Sequence, residues 1–171
     1  ILSVTRDITD IKMAEEEIRT LAFYDPLTHL PNRRLLMDRL QQAIALSTRD
    51  RCKCALLFVD LDNFKTLNDS SGHAIGDLLL QEVAARLVAS VREADTVARL
   101  GGDEFIVLIE QLSESIEGAA KQAEGVGEKI LAAISHPYQL ADREYRSTTS
   151  IGIAMVGGQH ENTDKLLMQA D

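Results

Sequence analysis

The apolar residues of this chain follow helical spacing in some segments and form strand-like runs in others. Residues 54–59 are a continuous apolar run of strand length, which predicts a central strand buried on both faces. Helical spacing predicts one helix before this strand, capped by Asn32, and one helix after it. The predicted inner faces are Leu36, Leu40, Ala43, Ile44 and Ser47 in the first helix and Leu80, Val83, Ala84, Leu87, Val88 and Val91 in the second. The polar stretch 60–76 is predicted to be a loop.

Turn signals organise the second half of the chain. Gly101-Gly102-Asp103-Glu104 separates apolar runs at 96–99 and 106–109, which predicts a tight β-hairpin. Further elements are predicted as a helix at 115–135, strands at 138–140 and 144–155 joined by a turn at 141–143, and a last helix from Thr163. This order predicts an α/β (α+β) sandwich with a central, mainly antiparallel sheet flanked by helices. Strand 96–100 is expected beside strand 54–60.

The first 24 residues are predicted to be a separate segment. Residues 1–5 are expected to end a strand, residues 6–9 to turn, and a charged helix to begin at Asp10. The heptad spacing of Ile11, Ala14, Ile18 and Leu21 fits an amphipathic helix packed on its own domain or a two-stranded coiled coil that joins an upstream module. The coiled coil is favoured, and Pro26 is predicted to end the helix.

Composition narrows the class of protein. The 171 residues are 45% hydrophobic, enough for one domain with a core plus an appendage. A formal net charge of -9 argues against a protein that binds nucleic-acid polymers, but it permits a nucleotide whose phosphates are bridged to carboxylates by divalent cations. The C-x-C spacing of Cys52 and Cys54 matches neither a zinc site nor a redox motif, which favours buried reduced thiols and a cytoplasmic location.

The ends of the chain indicate a piece of a longer protein. The chain begins at Ile1 without methionine and stops within a helical pattern at Asp171. It contains no apolar run of transmembrane length and no signal-peptide pattern. The parent protein is free to be attached to a membrane through other segments.

Acidic residues are placed at two points that the predicted sheet brings together. Asp60 and Asp62 follow the buried strand, and side chains two residues apart in an extended chain point to the same side. Asp103 and Glu104 lie at the tip of the hairpin, where they are expected to converge with Asp60. Carboxylate and carbonyl oxygens are the ligands that Mg²⁺ prefers, with water and phosphate completing its shell. A metal-nucleotide site is therefore predicted at this sheet edge.

Asn68 and Asp77 form a second candidate pair. A carboxylate accepts hydrogen bonds from the donor edge of guanine, and an amide donates to its acceptors, whereas adenine lacks that donor edge. Such a pair would select guanine. Taken alone, however, Asn68 is predicted to be a turn residue and Asp77 a helix cap.

Five separated segments together match one known family in order and spacing. They are Asp25-Pro26-Leu27-Thr28 with Asn32-Arg33-Arg34, Phe58-Val59-Asp60-Leu61-Asp62-Asn63-Phe64-Lys65, Asn68-Asp69 with Gly72-His73 and Gly76-Asp77, Arg99-Leu100-Gly101-Gly102-Asp103-Glu104-Phe105, and Ser150-Ile151-Gly152-Ile153-Ala154. Through these segments the chain resembles the GGDEF family of diguanylate cyclases over residues 22–171. The resemblance implies a nucleotide-cyclase or polymerase-palm-like fold and the conversion of two GTP to cyclic di-GMP.

The resemblance also implies roles for individual residues. Two Mg²⁺ ions per active site are expected, and the implied metal ligands are Asp60, the Leu61 carbonyl, Asp103 and Glu104. Asp103 is also the candidate base toward a ribose 3′-OH, and Arg99 is expected near the reacting phosphoryl group. The implied GTP-binding residues are Asn68, Asp77, His73, Phe64, Lys65, Gly101 and Gly102. Each domain would bind one GTP, so catalysis would need a homodimer.

A possible feedback site precedes the hairpin. The motif Arg92-Glu93-Ala94-Asp95 stands five residues before Gly101. In the family that this chain resembles, an R-x-x-D motif at this spacing binds the product cyclic di-GMP and inhibits the enzyme. An arginine can grip phosphate or guanine and an aspartate can accept from guanine. The simpler alternative is a salt bridge at a helix end.

The chain departs from the family pattern at two places, and its N-terminal segment indicates a neighbouring domain. His29 replaces a frequent glycine without expected effect, and the family's phosphate-contacting Lys and Arg would follow Asp171, so the fragment is expected to bind GTP poorly. Residues 1–24 are predicted to be the exit of a PAS-type sensor domain with a linker helix, and 25–171 a catalytic domain truncated at its end. The alternative function is a non-catalytic GTP-binding domain that regulates a downstream cyclic di-GMP phosphodiesterase.

Overall fold

A four-stranded antiparallel sheet organises the protein. The computed structural model describes Met13 and residues 18–156. Its elements are α1 (18–23), α2 (Arg33–Asp50), β1 (Lys53–Leu61), α3 (Phe64–Ser71), α4 (His73–Ser90), β2 (Thr96–Gly101), β3 (Glu104–Leu112), α5 (Ile116–Ser135), β4 (Tyr138–Leu140), β5 (Arg143–Tyr145) and β6 (Thr149–Val156). The main sheet has the order β2-β3-β1-β6, and β4 and β5 form a separate hairpin. The predicted fold class is confirmed.

The two faces of the sheet pack against different helices. Alternate residues of β1, such as Leu57 and Val59, join a core with α4 and α5. The intervening residues Cys54 and Leu56 face α2, together with Ile106 of β3. This alternation is the two-residue period of a strand, and it explains why the apolar run at 54–59 is continuous.

The predicted neighbour of β1 was wrong. β1 pairs with β3 and β6, whereas β2 lies at the edge of the sheet and pairs with β3 alone. The reason is burial, because β3 carries the continuous buried run 105–109 while β2 ends at the exposed Gly101. The more apolar strand of the hairpin takes the interior position.

The polar segment 60–76 is largely helical rather than a loop. It contains α3, which has no buried residue, and the first turn of α4. The apolar side of α3 consists of the half-buried Phe64 and Leu67 alone, which in a helix of eight residues is too short a pattern to predict a helix from periodicity. The Gly72 amide closes α3 on the Asn68 carbonyl, at 2.9 Å.

The predicted strand 144–155 is two strands. β5 belongs to the small hairpin, and β6 pairs with β1 after a break at residues 146–148. Val88 on the predicted inner face of α4 is 51% exposed, and Val91 is the C-cap residue rather than a helical one. The predicted N-cap Asn32 is confirmed, and its side chain accepts hydrogen bonds from backbone amides of α2. Ser115, predicted as the first residue of its helix, is instead the N-cap of α5.

The N-terminal helix is described only in part. The expected strand end and turn at 1–9, Ile11, Ala14 and the helix from Thr163 lie outside the described residues. The two described members of the heptad seam, Ile18 and Leu21, are 67% and 64% exposed. Neither cysteine forms a disulfide bond, and of the two thiols predicted to be buried, Cys54 is buried and Cys52 only half-buried. None of the described helices has the length and apolar character needed to cross a membrane.

Candidate active site

The tip of the β2–β3 hairpin requires glycine for its backbone. Gly101 and Gly102 have φ angles of 148° and 51°, in a region that side chains rarely adopt. A Cβ atom added at either position would meet nothing within 4 Å. The requirement is thus conformational, and the space above both glycines is open to a ligand. The turn carries the half-buried Asp103 between the two strands.

The register of the sheet brings Asp60 to this tip. Asp60 of β1 is paired with Glu104, the first residue of β3. The pKa of Asp60 is raised, first by burial of its carboxyl group and then by the negative charges of Asp103 and Asp62. The expected convergence of Asp60 with the hairpin is therefore confirmed, although through β3 and not through β2.

This carboxylate group fits a divalent cation bound in an open manner. Asp60 and Glu104 line a small cavity of about 100 Å³ at the end of the sheet. In the described part of the chain, no three acidic, histidine or cysteine side chains form a closed cage for a metal. Mg²⁺ suits such a site because it usually keeps only one or two protein carboxylates and completes its shell with water and phosphate. Burial and, after it, the charges of Asp103 and Asp62 raise the pKa of Asp60, so its ionised form is disfavoured in the protein alone and would be favoured by a bound cation.

The Arg99 side chain connects the tip of the β2–β3 hairpin to Asp25. Its Nε and Nη2 atoms donate to the Gly102 carbonyl at 3.1 and 2.7 Å, and its Nη1 atom contacts both carboxylate oxygens of Asp25 at 3.0 Å. The side chains of this pair are only 10% and 15% exposed. All of these hydrogen bonds are made to the protein itself, so Arg99 positions the turn that carries Asp103.

Asp25 is a functional residue that the sequence interpretation treated only as part of a family motif and a helix stop. Besides Arg99, it accepts hydrogen bonds from the Thr28 amide at 2.8 Å and the Thr28 hydroxyl at 2.7 Å. Burial alone would raise the pKa of Asp25, but these hydrogen bonds and the Arg99 charge outweigh it and lower the pKa. Asp25 thereby connects the turn after α1 to the hairpin tip. The signal available in the sequence was the Asp-Pro-Leu-Thr turn itself.

The candidate guanine pair lies on neighbouring helices. Asn68 is on α3 and Asp77 is an exposed residue in the second turn of α4, so the simpler interpretations as turn residue and helix cap are wrong. The Asn68 Oδ1 atom is buried without a hydrogen-bond partner in the described structure. A Cβ at Gly76 would lie 1.9 Å from that atom, so only glycine lets the two helices approach here. A buried acceptor without a partner is costly, and a ligand donor would satisfy it.

The remaining candidate GTP-binding residues surround the start of these helices. Phe64 is half-buried and packs against the core, and Lys65 is exposed beside it at the start of α3. His73 is the exposed first residue of α4. No side chain caps the N-terminus of α3, and the preceding Asn63 has a left-handed φ of 60°. The first amides of α3 are left without a side-chain acceptor.

Asp62 points toward β6. Its two carboxylate oxygens accept hydrogen bonds from the hydroxyls of Thr148, at 2.6 Å, and Ser150, at 2.9 Å. The expectation that the carboxylates of Asp60 and Asp62 reach one common point is therefore wrong. The negative charge of Asp62 is nevertheless near enough to raise the pKa of Asp60.

Arg92 and Asp95 lie at the opposite end of β2 from the hairpin tip. Asp95 is 9% exposed, and its oxygens accept from the backbone amides of Arg92, at 2.9 Å, and Glu110, at 3.2 Å. Asp95 thus fixes the turn before β2 and fastens it to β3. The described ion pairs do not include the helix-end salt bridge that was the simpler alternative. The Arg92 side chain is exposed.

Comparison with protein families decides the relationship. A family model described as diguanylate cyclase, GGDEF domain, matches residues 22–171. The chain belongs to the GGDEF family. The hairpin with Gly101 and Gly102 followed by Asp103 is the signature from which the family takes its name.

Individual GGDEF proteins agree with this assignment. The chain is 48% identical over 163 residues to the bifunctional diguanylate cyclase/cyclic di-GMP phosphodiesterase MucR of Pseudomonas aeruginosa, covering 95% of this chain and 23% of MucR. It is 34% identical over 165 residues to the cyclic di-GMP phosphodiesterase PdeR of Escherichia coli, covering 96% of this chain and 24% of PdeR. The chain therefore spans about a quarter of the length of these two relatives.

A solved GGDEF domain has the same fold. The isolated GGDEF domain of TpbB from Pseudomonas aeruginosa superposes with a TM-score of 0.76 at 38% identity, covering 85% of this chain and 82% of that one. The antiparallel sheet with helices on both faces is thus the arrangement of a GGDEF domain.

The lowered pKa of Asp25 predicts how acid weakens this GGDEF domain. A carboxylate whose folded pKa is depressed stabilises the fold above its ordinary pKa of 3.8, and this stabilisation is lost as the pH falls below that value. Asp25→Asn should lower the melting temperature at pH 6, and its difference from wild type should shrink below pH 3.8. Thermal melts from pH 6 to pH 3 measure this, with the exposed Asp142→Asn as control. A difference that stays constant with pH would contradict the prediction.

The raised pKa of Asp60 predicts that its substitution changes the melting temperature in the opposite direction from that of Asp25. Ionisation of a group whose folded pKa is raised costs stability as the pH increases through that pKa. With a metal chelator at pH 7, Asp60→Asn should therefore raise the melting temperature, by roughly 1–3 °C. Adding Mg²⁺ with GTP should then stabilise wild type more than the variant, as read by the same melts. A variant less stable than wild type under chelation would show that the carboxylates do not repel one another.

Proposed function

We propose that this domain is a diguanylate cyclase that condenses two GTP molecules into cyclic di-GMP and releases pyrophosphate. The observation that carries the proposal is the pairing of Asp60 with Glu104 across β1 and β3, beside Asp103 at the glycine turn. Three acidic residues at an open sheet edge suit metal-assisted phosphoryl transfer to a nucleotide. The relative MucR carries both a cyclase and a phosphodiesterase activity in its name.

The reaction joins a ribose oxygen of one GTP to the α-phosphorus of another. The bond from that phosphorus to the β-phosphate oxygen breaks and pyrophosphate leaves. Two such transfers close the ring. Asp103 is the proposed acceptor of the 3′-OH proton, and Arg99 supports it by holding the Gly102 carbonyl. Asp60, the Leu61 carbonyl, Asp103 and Glu104 would hold two Mg²⁺ ions, which when bound acidify the hydroxyl and neutralise charge on the phosphates.

Substrate selection is assigned to α3 and α4. Asn68 and Asp77 would read guanine, because Asn68 Oδ1 is buried without a described partner and Asp77 is free to reach a ligand from the exposed side of α4. The uncapped start of α3, with Phe64 and Lys65, would receive phosphate oxygens, since helix N-termini favour anions. His73 lies between these two regions and would line the same site.

Catalysis in this proposal needs two copies of the chain. Each active site holds one GTP, so the two carboxylate clusters must face one another. The exposed Ile18 and Leu21 of α1 are available for pairing with a second copy, as a coiled coil requires. Residues 1–24 would then be a linker from a PAS-type sensor domain, and 25–171 the catalytic domain. We place this domain in the cytoplasm, and a phosphodiesterase domain downstream is consistent with MucR and PdeR.

The decisive experiment incubates the full-length protein with GTP and Mg²⁺ and measures cyclic di-GMP. Wild type should form product, and Asp103→Asn should lower the rate by about 100-fold or more because a proton acceptor and a metal ligand are both lost. Asp142→Asn removes an exposed acidic charge from the β4–β5 turn and is the matched control, expected to be unchanged.

The same assay separates the two candidate functions. Wild type that binds Mg²⁺-GTP but forms no product would favour the regulatory domain, for which PdeR, a relative named as a phosphodiesterase, is the precedent. Equal product from wild type and Asp103→Asn would sink the cyclase proposal. A rate that rises with the square of protein concentration at low concentration would support the requirement for two copies.

We also propose that Arg92 and Asp95 form a site where cyclic di-GMP inhibits the enzyme. Asp95 is held rigid by two backbone amides, and the exposed Arg92 beside it is free to contact a phosphate or a guanine. The turn is connected to the active site through β2, which runs directly into Gly101.

Arg92→Ala is the appropriate test because the Arg92 side chain makes no described contact that stabilises the fold. Asp95 is unsuitable, since its carboxylate accepts hydrogen bonds from the backbone amides of Arg92 and Glu110. Product inhibition of the variant should weaken at least tenfold, the loss expected for one charged contact. The rate without product should be unchanged. Inhibition constants for added cyclic di-GMP measure the effect, with Arg143→Ala, an exposed arginine on β5, as control. Inhibition that survives Arg92→Ala would remove this site.

A further inference from the structure

The Asp62 carboxylate is committed to the protein rather than to a ligand. It accepts the Thr148 hydroxyl at 2.6 Å and the Ser150 hydroxyl at 2.9 Å, and its backbone amide donates to the Thr148 carbonyl at 3.0 Å. Between the same two strands, the Thr149 hydroxyl donates to the Asp60 carbonyl at 2.6 Å. The end of β1 is thus bound to the start of β6 by side chains as well as by the sheet.

The turn that follows has little support of its own. Asn63 holds a left-handed φ of 60°, and its side chain makes no capping hydrogen bond to α3. No residue of α3 is buried, although Phe64 and Leu67 pack partly against the core. α3 packs against α4 where Asn68 lies beside Gly76, more than one turn after its first residue. The position of its first amides therefore depends also on the residues that precede the helix, Asp62 and Asn63.

The chemistry of Asp62 does not suit a direct contact with the substrate. A carboxylate repels phosphate oxygens, and both of its oxygens already accept hydrogen bonds from hydroxyls. Besides the charge that it places near Asp60, the role that its hydrogen bonds indicate is geometric. Charged hydrogen bonds are short and strong, which makes the pair of hydroxyls on β6 a firm anchor.

We propose that Asp62 is a positioning residue for GTP binding, which fixes the Asn63–Lys65 turn through the Thr148 and Ser150 hydroxyls. This inference rests on the proposed function, in which the start of α3 receives the phosphates of GTP. It predicts that the hydroxyls of Thr148 and Ser150, whose described hydrogen bonds to acidic side chains go to Asp62 and not to Asp60, Asp103 or Glu104, nevertheless set the affinity for nucleotide.

The test compares substitutions on the two sides of the anchor in the full-length protein. Asp62→Ala should raise KM for GTP about tenfold and leave kcat within about twofold, because the turn contributes binding and not chemistry. Asp62→Asn, which keeps one acceptor and lets a hydroxyl accept from its amide, should restore most of the affinity. Thr148→Val combined with Ser150→Ala should reproduce the Asp62→Ala defect, and adding Asp62→Ala to that pair should cause little further loss.

A second hydroxyl serves as the matched control for stability. The Ser47 hydroxyl donates to the Cys52 carbonyl at 2.6 Å at the far end of β1. Ser47→Ala should lower the melting temperature and leave KM unchanged. Asp62→Ala that lowers the melting temperature with an unchanged KM would overturn the inference and reduce Asp62 to a structural residue. Additive losses from the two sides would also overturn it.

Calorimetric titration with Mg²⁺-GTP separates this inference from the proposed function. If wild type forms no cyclic di-GMP but Asp62→Ala weakens Mg²⁺-GTP binding about tenfold, the cyclase proposal fails and the positioning role stands. If wild type is active and the variant binds Mg²⁺-GTP equally well, the cyclase proposal stands and the positioning role fails. Wild type that binds no Mg²⁺-GTP would refute both.

Discussion

The antiparallel register of β1 and β3 is the constraint on which the site depends. It places Asp60 opposite Glu104 at the point where the hairpin turns, and it does so with the most deeply buried strands of the sheet. A shift of one residue would move every apolar side chain of these strands to the wrong face, so the cores on both faces enforce the register. The positions of Asp60 and Glu104 are therefore set by the burial of the apolar side chains of β1 and β3.

Two sets of side-chain hydrogen bonds, made by Arg99 and by Asp62, further fix the segments that the register brings together. Arg99 ties the Gly102 carbonyl to Asp25 behind the hairpin, and Asp62 ties the end of β1 to β6. Both use charged groups that are largely satisfied within the protein, so neither competes for the ligand. In the described part of the site, Asp60, Asp103 and Glu104 are the groups proposed to meet a ligand. Arg99 and Asp62 bind other parts of the protein and hold the strands and the turn that carry those groups.

The outward-facing set is poorly satisfied in the protein alone. Asp60 carries a raised pKa beside Asp103, and the buried Asn68 Oδ1 lacks a described partner. Such groups cost stability in the free protein and gain it on binding a cation or a ligand donor. The helices α2 and α5, which pack on the two faces of the sheet, are by contrast capped by Asn32 and Ser115.

The sequence by itself determined the elements whose signal is local: the hairpin at Gly101-Gly102, the buried strand at 54–59, the capped helices, and the acidic and amide residues of the family motifs. Only the tertiary structure decided that β3 and not β2 lies beside β1, that α3 is a helix, and that Arg99 and Asp62 face the protein. The physical reason is that strand order and side-chain partners depend on competition for burial and on distant hydroxyls and carbonyls, which no local spacing encodes. The short helix α3, whose apolar side is only Phe64 and Leu67, likewise gives too short a pattern to be predicted from periodicity.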